Sequence, residues 1–290
     1  MNTDTPHARI CSAARRLGAG VLALLGAGHA GAQCDPGWIE TPGYGIPGAN
    51  GPVLASVMWD PAGPEPELLV VGGMFTAIAE TPAANLAAWD GQAWREIGGG
   101  ITAGDIFTRV SSLAVYEGEL VVGGHFGMAG AQPSINIASW DGAVWRELGA
   151  GVDHAFGDGE VMALAEFGGK LIATGFFTSA GAGAASNIAA WDGEGWSPLG
   201  SGLSNEGRAL AAFGGGLYVG GLFASAGGQP QTNGLAQWDG SGWASVGAGV
   251  NGGIGGLAVH GGALYVGGSF TAAGGRGATN IARWDGAGWS

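Results

Sequence analysis

Lysine is all but missing from this sequence: Lys170 is the single one in 290 residues, and charged residues of every kind make up 11%. Helices held by ladders of ion pairs are therefore excluded, and 63 glycines argue against long helices altogether. Cysteine is as scarce. Cys11 falls in a segment read below as a removable signal, which leaves Cys34 alone and excludes a disulfide framework. Cys34 is expected to stay free or to form an intermolecular disulfide. Long apolar runs are missing too, so no helical membrane span is expected. No zinc-ligand spacing occurs. Gly247-x-Gly249-x-x-Gly252 spells a dinucleotide fingerprint, but no βαβ pattern follows it, and chance in a glycine-rich chain accounts for it.

At the start of the chain, Arg9, Arg15 and Arg16 precede an apolar run from Leu17 to Ala27, and Ala30-Gly31-Ala32 has the small residues of a cleavage site. Residues 1–32 read as a secretory signal, and residues 33–290 as one exported domain at the surface, in the periplasm or outside the cell. Seven of the ten basic residues and 22 of the 23 acidic ones lie beyond residue 32, leaving that domain near −15. Nucleic acid and anionic membrane surfaces are repelled by such a charge.

What the sequence has in abundance is repetition. WDGQAW at Trp89 returns as WDGAVW at 140, WDGEGW at 191, WDGSGW at 238 and WDGAGW at 284, in steps of 51, 51, 47 and 46 residues. Each unit contains four short β-like runs; in the second they are VSSLAVY, LVVGG, NIASW and WRELG. Glu-Gly (in the second unit) or a glycine pair (in the later ones) separates the first two runs and Asp-Gly the last two, all suited to tight hairpins. The expected unit is a four-stranded antiparallel meander. Stacking such units side by side buries their apolar faces, so the fold class is all-β, a five-bladed β-propeller. The last unit stops before its fourth run, and Trp38 in CDPGWIETPGYG matches the missing piece, so an N-terminal outer strand around Trp38–Thr41 is expected to close the ring.

A hydrophobic run ending in Gly-Gly (Val71-Gly72-Gly73, Val122-Gly123-Gly124, Val219-Gly220-Gly221, Val266-Gly267-Gly268), followed by an aromatic-Asp and then Trp, resembles the kelch repeat. The resemblance spans roughly residues 53–289; it departs at Ala173-Thr174-Gly175 and in having Trp before Asp. The fuller pattern F-T-x-A-G…N-I-A-x-W-D-G-x-x-W is similar to uncharacterised secreted bacterial repeat proteins. The resemblance implies a propeller with an interaction role and carries over no catalytic residue. Trp-Asp also suggests WD40 repeats, but no Gly-His recurs upstream.

Residues used the same way in every unit are read as scaffold: Trp89 and Trp94, Trp140 and Trp145, Trp191 and Trp196, Trp238 and Trp243, Trp284 and Trp289, with Trp38. The repeated Asn (85, 136, 187, 233, 280) is expected to cap the long loop, and the repeated Phe (75, 126, 177, 223, 270) to plug the space between blades. Function is then sought where units differ, on the face carrying the long loops. GGGITAGDIFTR supplies Asp105, Phe107 and Arg109, and GAGVDHAFGDGE supplies Asp153 and His154, the candidate ligand-binding residues. Asp153, Asp158 and Glu160 are oxygen donors suited to Ca2+, the one cofactor considered, although the alternate spacing of a calcium loop is missing. The leading expectation is a monomeric, non-enzymatic module binding a glycan or protein ligand. An exported hydrolase or lyase at the central channel and a structural matrix repeat are the alternatives.

Overall fold

A computed structural model describes residues 48–61, 63, 66–103, 106–230 and 232–290, and every regular element among them is a β-strand. The signal segment 1–32, Cys34, Trp38 with its closing strand, and Asp105 lie outside the described residues.

The first sheet holds β1 (Val53–Trp59), β2 (Leu68–Gly73), β3 (Leu86–Trp89) and β4 (Trp94–Glu96). The second holds β5 (Arg109–Tyr116), β6 (Glu119–His125), β7 (Ile137–Trp140) and β8 (Trp145–Glu147). The third holds β9 (Glu160–Phe167), β10 (Lys170–Phe176), β11 (Ile188–Trp191) and β12 (Trp196–Pro198). The fourth holds β13 (Gly207–Phe213), β14 (Gly216–Gly221), β15 (Leu235–Trp238) and β16 (Trp243–Ser245). The fifth has β17 (Gly253–His260), β18 (Ala263–Ser269) and β19 (Ile281–Trp284), and a Trp284–Trp289 bridge begins a fourth strand. In every sheet the strands pair antiparallel in chain order, as the meander pattern predicts.

Local chemistry explains the hairpins. The turn between β9 and β10 is the pair Gly168–Gly169 at φ 62° and 73°, the left-handed pair that a two-residue hairpin matching strand twist requires. Each Asp-Gly turn is closed by the aspartate: Asp192 Oδ1 accepts from Gly195 N (2.9 Å) and Glu194 N (3.2 Å), and the other four repeat this. A β-bulge interrupts the first strand of all five sheets at the same place.

That bulge positions the residue that joins one sheet to the next. Val110 on β5 sits over Gly72 of the first sheet, Val161 on β9 over Gly123, and Ile254 on β17 over Gly220, each so close that a Cβ on the glycine would collide with it. At the third junction the sizes are exchanged: Thr174 of β10 projects into the space left by Gly207 of β13. Val110, Val161 and Ile254 are fully buried, each contributing about 1.5–3 kcal/mol. Four apolar cores lie between successive sheets, each closed by the repeated Phe or Trp residues.

The tryptophans add a second link. Trp145 Nε1 donates to Gly98 O (3.0 Å), Trp196 Nε1 to Leu148 O (2.9 Å) and Trp243 Nε1 to Leu199 O (2.9 Å), each reaching back into the preceding unit. Meander sheets packed face to face through their first strands in this way are blades of the β-propeller type.

The array does not close. Val53, which holds the place of Val110 on β1, is 48% exposed, and Gly267 of the fifth sheet is approached only by backbone of its own unit. The expected closed ring is therefore not formed by the described residues: Val53 on β1 and Gly267 on β18 do not meet.

Candidate binding site

On the long-loop rim, each connection between sheets runs into the next sheet's own loop. Ile101–Thr102 pairs with Met128–Ala129, and Val152–Asp153 with Ser179–Ala180. The repeated Asn fastens this arrangement. Asn136, at φ 62°, accepts from Phe126 N through Oδ1 (2.9 Å) and donates from Nδ2 to Val152 O (2.8 Å); Asn85 and Asn187 do the same. The left-handed conformation is one that Asn tolerates better than other side-chain-bearing residues.

Between the second and third sheets this frame carries an extra loop, residues 154–159. Asp153 anchors its start: its carbonyl accepts from Thr178 N (3.0 Å) and Ser179 Oγ (3.1 Å), and its Oδ1 from His154 N (2.8 Å). Ala155 N donates to Thr178 Oγ1 (3.0 Å), and Gly157 N to His154 O (2.8 Å). Thus held, His154 stacks on Phe176 with ring centres 4.3 Å apart and planes 29° apart, and tilts against Phe156 at 5.4 Å. His154 Nδ1 lies 2.7 Å from Asp158 Oδ1. Phe156 is 87% exposed, Phe107 60% and Ile106 84%, an unusual display of large apolar groups.

Behind this rim stands a half-buried polar cluster centred on a buried glutamate. Glu160, 7% exposed, receives Arg109 Nε on Oε1 (2.7 Å) and Arg109 Nη2 on Oε2, and Ser111 Oγ donates to Oε1 (2.6 Å). Arg109 Nη1 also donates to Phe107 O (3.0 Å), and His125 Nδ1 to Gly159 O (2.9 Å). A two-pronged guanidinium–carboxylate pair of this kind fixes geometry as well as charge, so the loop bearing Phe107 and the loop bearing Phe156 are tied to one rigid base.

The structure thus brings together Phe107, Arg109, Asp153, His154, Asp158 and Glu160, all singled out from the sequence. It does not gather the three carboxylates into one oxygen cage. Asp153 turns to its own loop, Asp158 to His154 and Glu160 to Arg109 and Ser111, and no group of three His, Cys, Asp or Glu side chains suited to a metal occurs among the described residues. Sequence reasoning missed Ser111, His125, Phe156 and Phe176. A cleft of about 500 Å3 at the fourth and fifth sheets, lined by Phe223, Asn233, Asn251 and glycines, has no titratable side chain in its walls.

No protein-family model matches the chain, and no curated protein matches it. Solved structures similar to it include the computationally designed protein Ika8 (14% identity, TM-score 0.46), covering 82% of this chain and 61% of that one. The WD40 β-propeller domain of Doa1 (13%, TM-score 0.45) covers 76% of this chain and 63% of that one, and the WD40 repeats of RRP9 (13%, TM-score 0.45) cover 80% and 61%. The chain spans about three fifths of the length of each. The likeness is one of fold; blade membership rests on the sheets described above.

Proposed function

We propose that this chain is a kelch-like array of five propeller blades, exported by residues 1–32. It acts as a non-enzymatic binding module for a glycan, held on the rim of the second and third sheets. The observation that carries this reading is the two exposed rings, Phe107 and Phe156, mounted on loops that a half-buried ion pair and a His154–Phe176 stack support. An exposed aromatic ring suits the flat C–H face of a sugar, and the carboxylate of Asp158, 62% exposed and two residues from Phe156, suits its hydroxyls. The channel-enzyme alternative calls for converging carboxylates, whereas Glu160 and Glu206 each face an arginine.

The test is an array of neutral, amino-sugar and uronic oligosaccharides probed with the wild type and with Phe156→Ala and Phe107→Ala. Capture of at least one oligosaccharide, reduced about tenfold or more by either change with thermal stability unaltered, supports the reading. Undiminished capture moves the site elsewhere. No capture at all gives the rim to a protein ligand, sought by pull-down with the same variants.

A further inference from the structure

In the first three units the repeated asparagine lends its carboxamide to two backbone groups; in the fourth a one-residue insertion, Asn-Gly-Leu for Asn-Ile, takes that side chain away. Gly234 stands in the asparagine's backbone place. Its N donates to Phe223 O (2.9 Å) and its O accepts from Gly221 N (2.9 Å), as Asn136 N donates to Phe126 O (3.0 Å) and Asn136 O accepts from Gly124 N (3.0 Å). Its backbone is left-handed as well, at φ 75° against 62° for Asn136. Asn233, expected to cap this loop, is set one residue back, where its O accepts from Val250 N (3.3 Å) as Ile135 O does from Val152 N (3.0 Å). Two backbone groups are left over. Phe126 N donates to Asn136 Oδ1, and Val152 O accepts from Asn136 Nδ2. Their counterparts are Phe223 N and Val250 O, on residues 2% and 3% exposed, and no hydrogen bond reaches either among the described residues. Buried backbone groups without a partner are rare and costly.

Phe223 and Val250 both line the cleft of about 500 Å3 between the fourth and fifth sheets. We infer that this cleft binds the side-chain carboxamide of a glutamine or asparagine in a peptide ligand, its oxygen accepting from Phe223 N and its nitrogen donating to Val250 O. The chemistry is read from the first three units, where one planar amide serves both groups at 2.8 to 3.2 Å. A carboxylate has no N–H for Val250 O, and an ammonium has no acceptor for Phe223 N. The walls agree, since no charged side chain lines the cleft. A side chain at 234 is kept out of it, because a Cβ on Gly234 would stand 2.9 Å from Gly252 O. The volume exceeds that of one amide, which leaves room for the peptide that carries it, and Leu222, 43% exposed, offers that peptide an apolar wall. This site is independent of the glycan reading, which concerns the second and third sheets.

The test titrates the 15N-labelled full chain with N-acetylglutamine N-methylamide, the asparagine counterpart, the matching glutamate and aspartate compounds, free glutamine and N-acetylglucosamine. The two amides are expected to bind saturably, about tenfold or more tighter than the two acids, and to shift the Phe223 amide resonance. Ala224→Trp sets an indole at an exposed position of the cleft and should weaken amide binding about tenfold or more with the unfolding temperature unaltered. Asn187→Gly takes the carboxamide from the corresponding cleft of about 390 Å3, lined by Phe177 and Leu203, at a φ of 63° that glycine adopts freely. It should take up a second amide molecule and shift the Phe177 resonance. No saturable amide binding up to about 20 mM overturns the inference, as does equal binding of the acids. So does amide binding that Ala224→Trp leaves intact, or an Asn187→Gly variant that takes up no second molecule. Free glutamine bound as tightly as the blocked compound gives the cleft to the amino acid, and N-acetylglucosamine bound in preference gives it to a sugar; either result overturns the peptide ligand.

Discussion

On the rim of Asp-Gly turns the five units carry the same residues in the same places, from Trp89 and Trp94 to Trp284 and Trp289, whereas on the opposite rim the connections between sheets diverge once past a shared Gly-x-Gly. The first rim is bound to itself: each second tryptophan that follows another unit packs over a glycine of that unit, and each turn aspartate is spent on its own backbone. The second rim uses the repeated Asn only as a fastening, and at the junction of the second and third sheets displays residues that no other unit has. Repetition here marks what holds neighbouring sheets together, and departure from it marks what faces outward.

This contrast breaks most sharply at Trp196. Trp196→Ala removes the indole over Gly149 and the bond to Leu148 O, and should lower stability to denaturant by about 3 kcal/mol. Glycan capture on the other rim should survive under folding conditions. A loss below about 1 kcal/mol in urea titrations would deny the tryptophans their part in joining the sheets. Glu160→Gln comes next. It leaves the Arg109 charge beside a neutral amide and should cost about 2 kcal/mol while also weakening capture, since Arg109 steadies Phe107.

The smallest effect belongs to the turn aspartates. Asp90, Asp141, Asp192, Asp239 and Asp285 are held below the ordinary 3.8 by the backbone N–H three residues on and then by the one two residues on. A carboxyl depressed in the folded state stabilises the fold fully above its unfolded pKa and ceases to do so as pH falls through the folded value. Unfolding temperatures should therefore be level above about pH 4 and fall below it, and Asp192→Asn, which keeps the acceptor oxygen, should make the fall slightly shallower. An equally steep acid fall in that variant would mean that the turn carboxylate contributes nothing to it.

Much of the frame was legible because the repeat period, the Gly-Gly hairpins and the Asp-Gly turns are local signals. The open array was not, since the repeat period states how many sheets follow one another but not whether the last meets the first. In the site, the segment from Val152 to Glu160 stood out by differing from its counterparts. Glu160 read as a free oxygen donor because its partner, Arg109, lies 51 residues away. That distance is one repeat, so the two hold the same place in successive units, with opposite charge. His125 and Phe176 were missed inside strands that otherwise repeat. Their signal is a single column, the residue before the repeated Phe, which reads Met74, His125, Phe176, Leu222 and Ser269.

The exchanged pair Thr174 and Gly207 bears on how such a chain assembles in the right order. Near-identical units invite mispairing, in which one sheet docks on the wrong neighbour during folding. Threonine at 174 has no room for Val110, Val161 or Ile254, and accepts the fourth unit alone, whose own first strand begins with glycine. One junction out of four is thereby made non-interchangeable. The third and fourth units are thereby marked as each other's neighbours in an otherwise repetitive array.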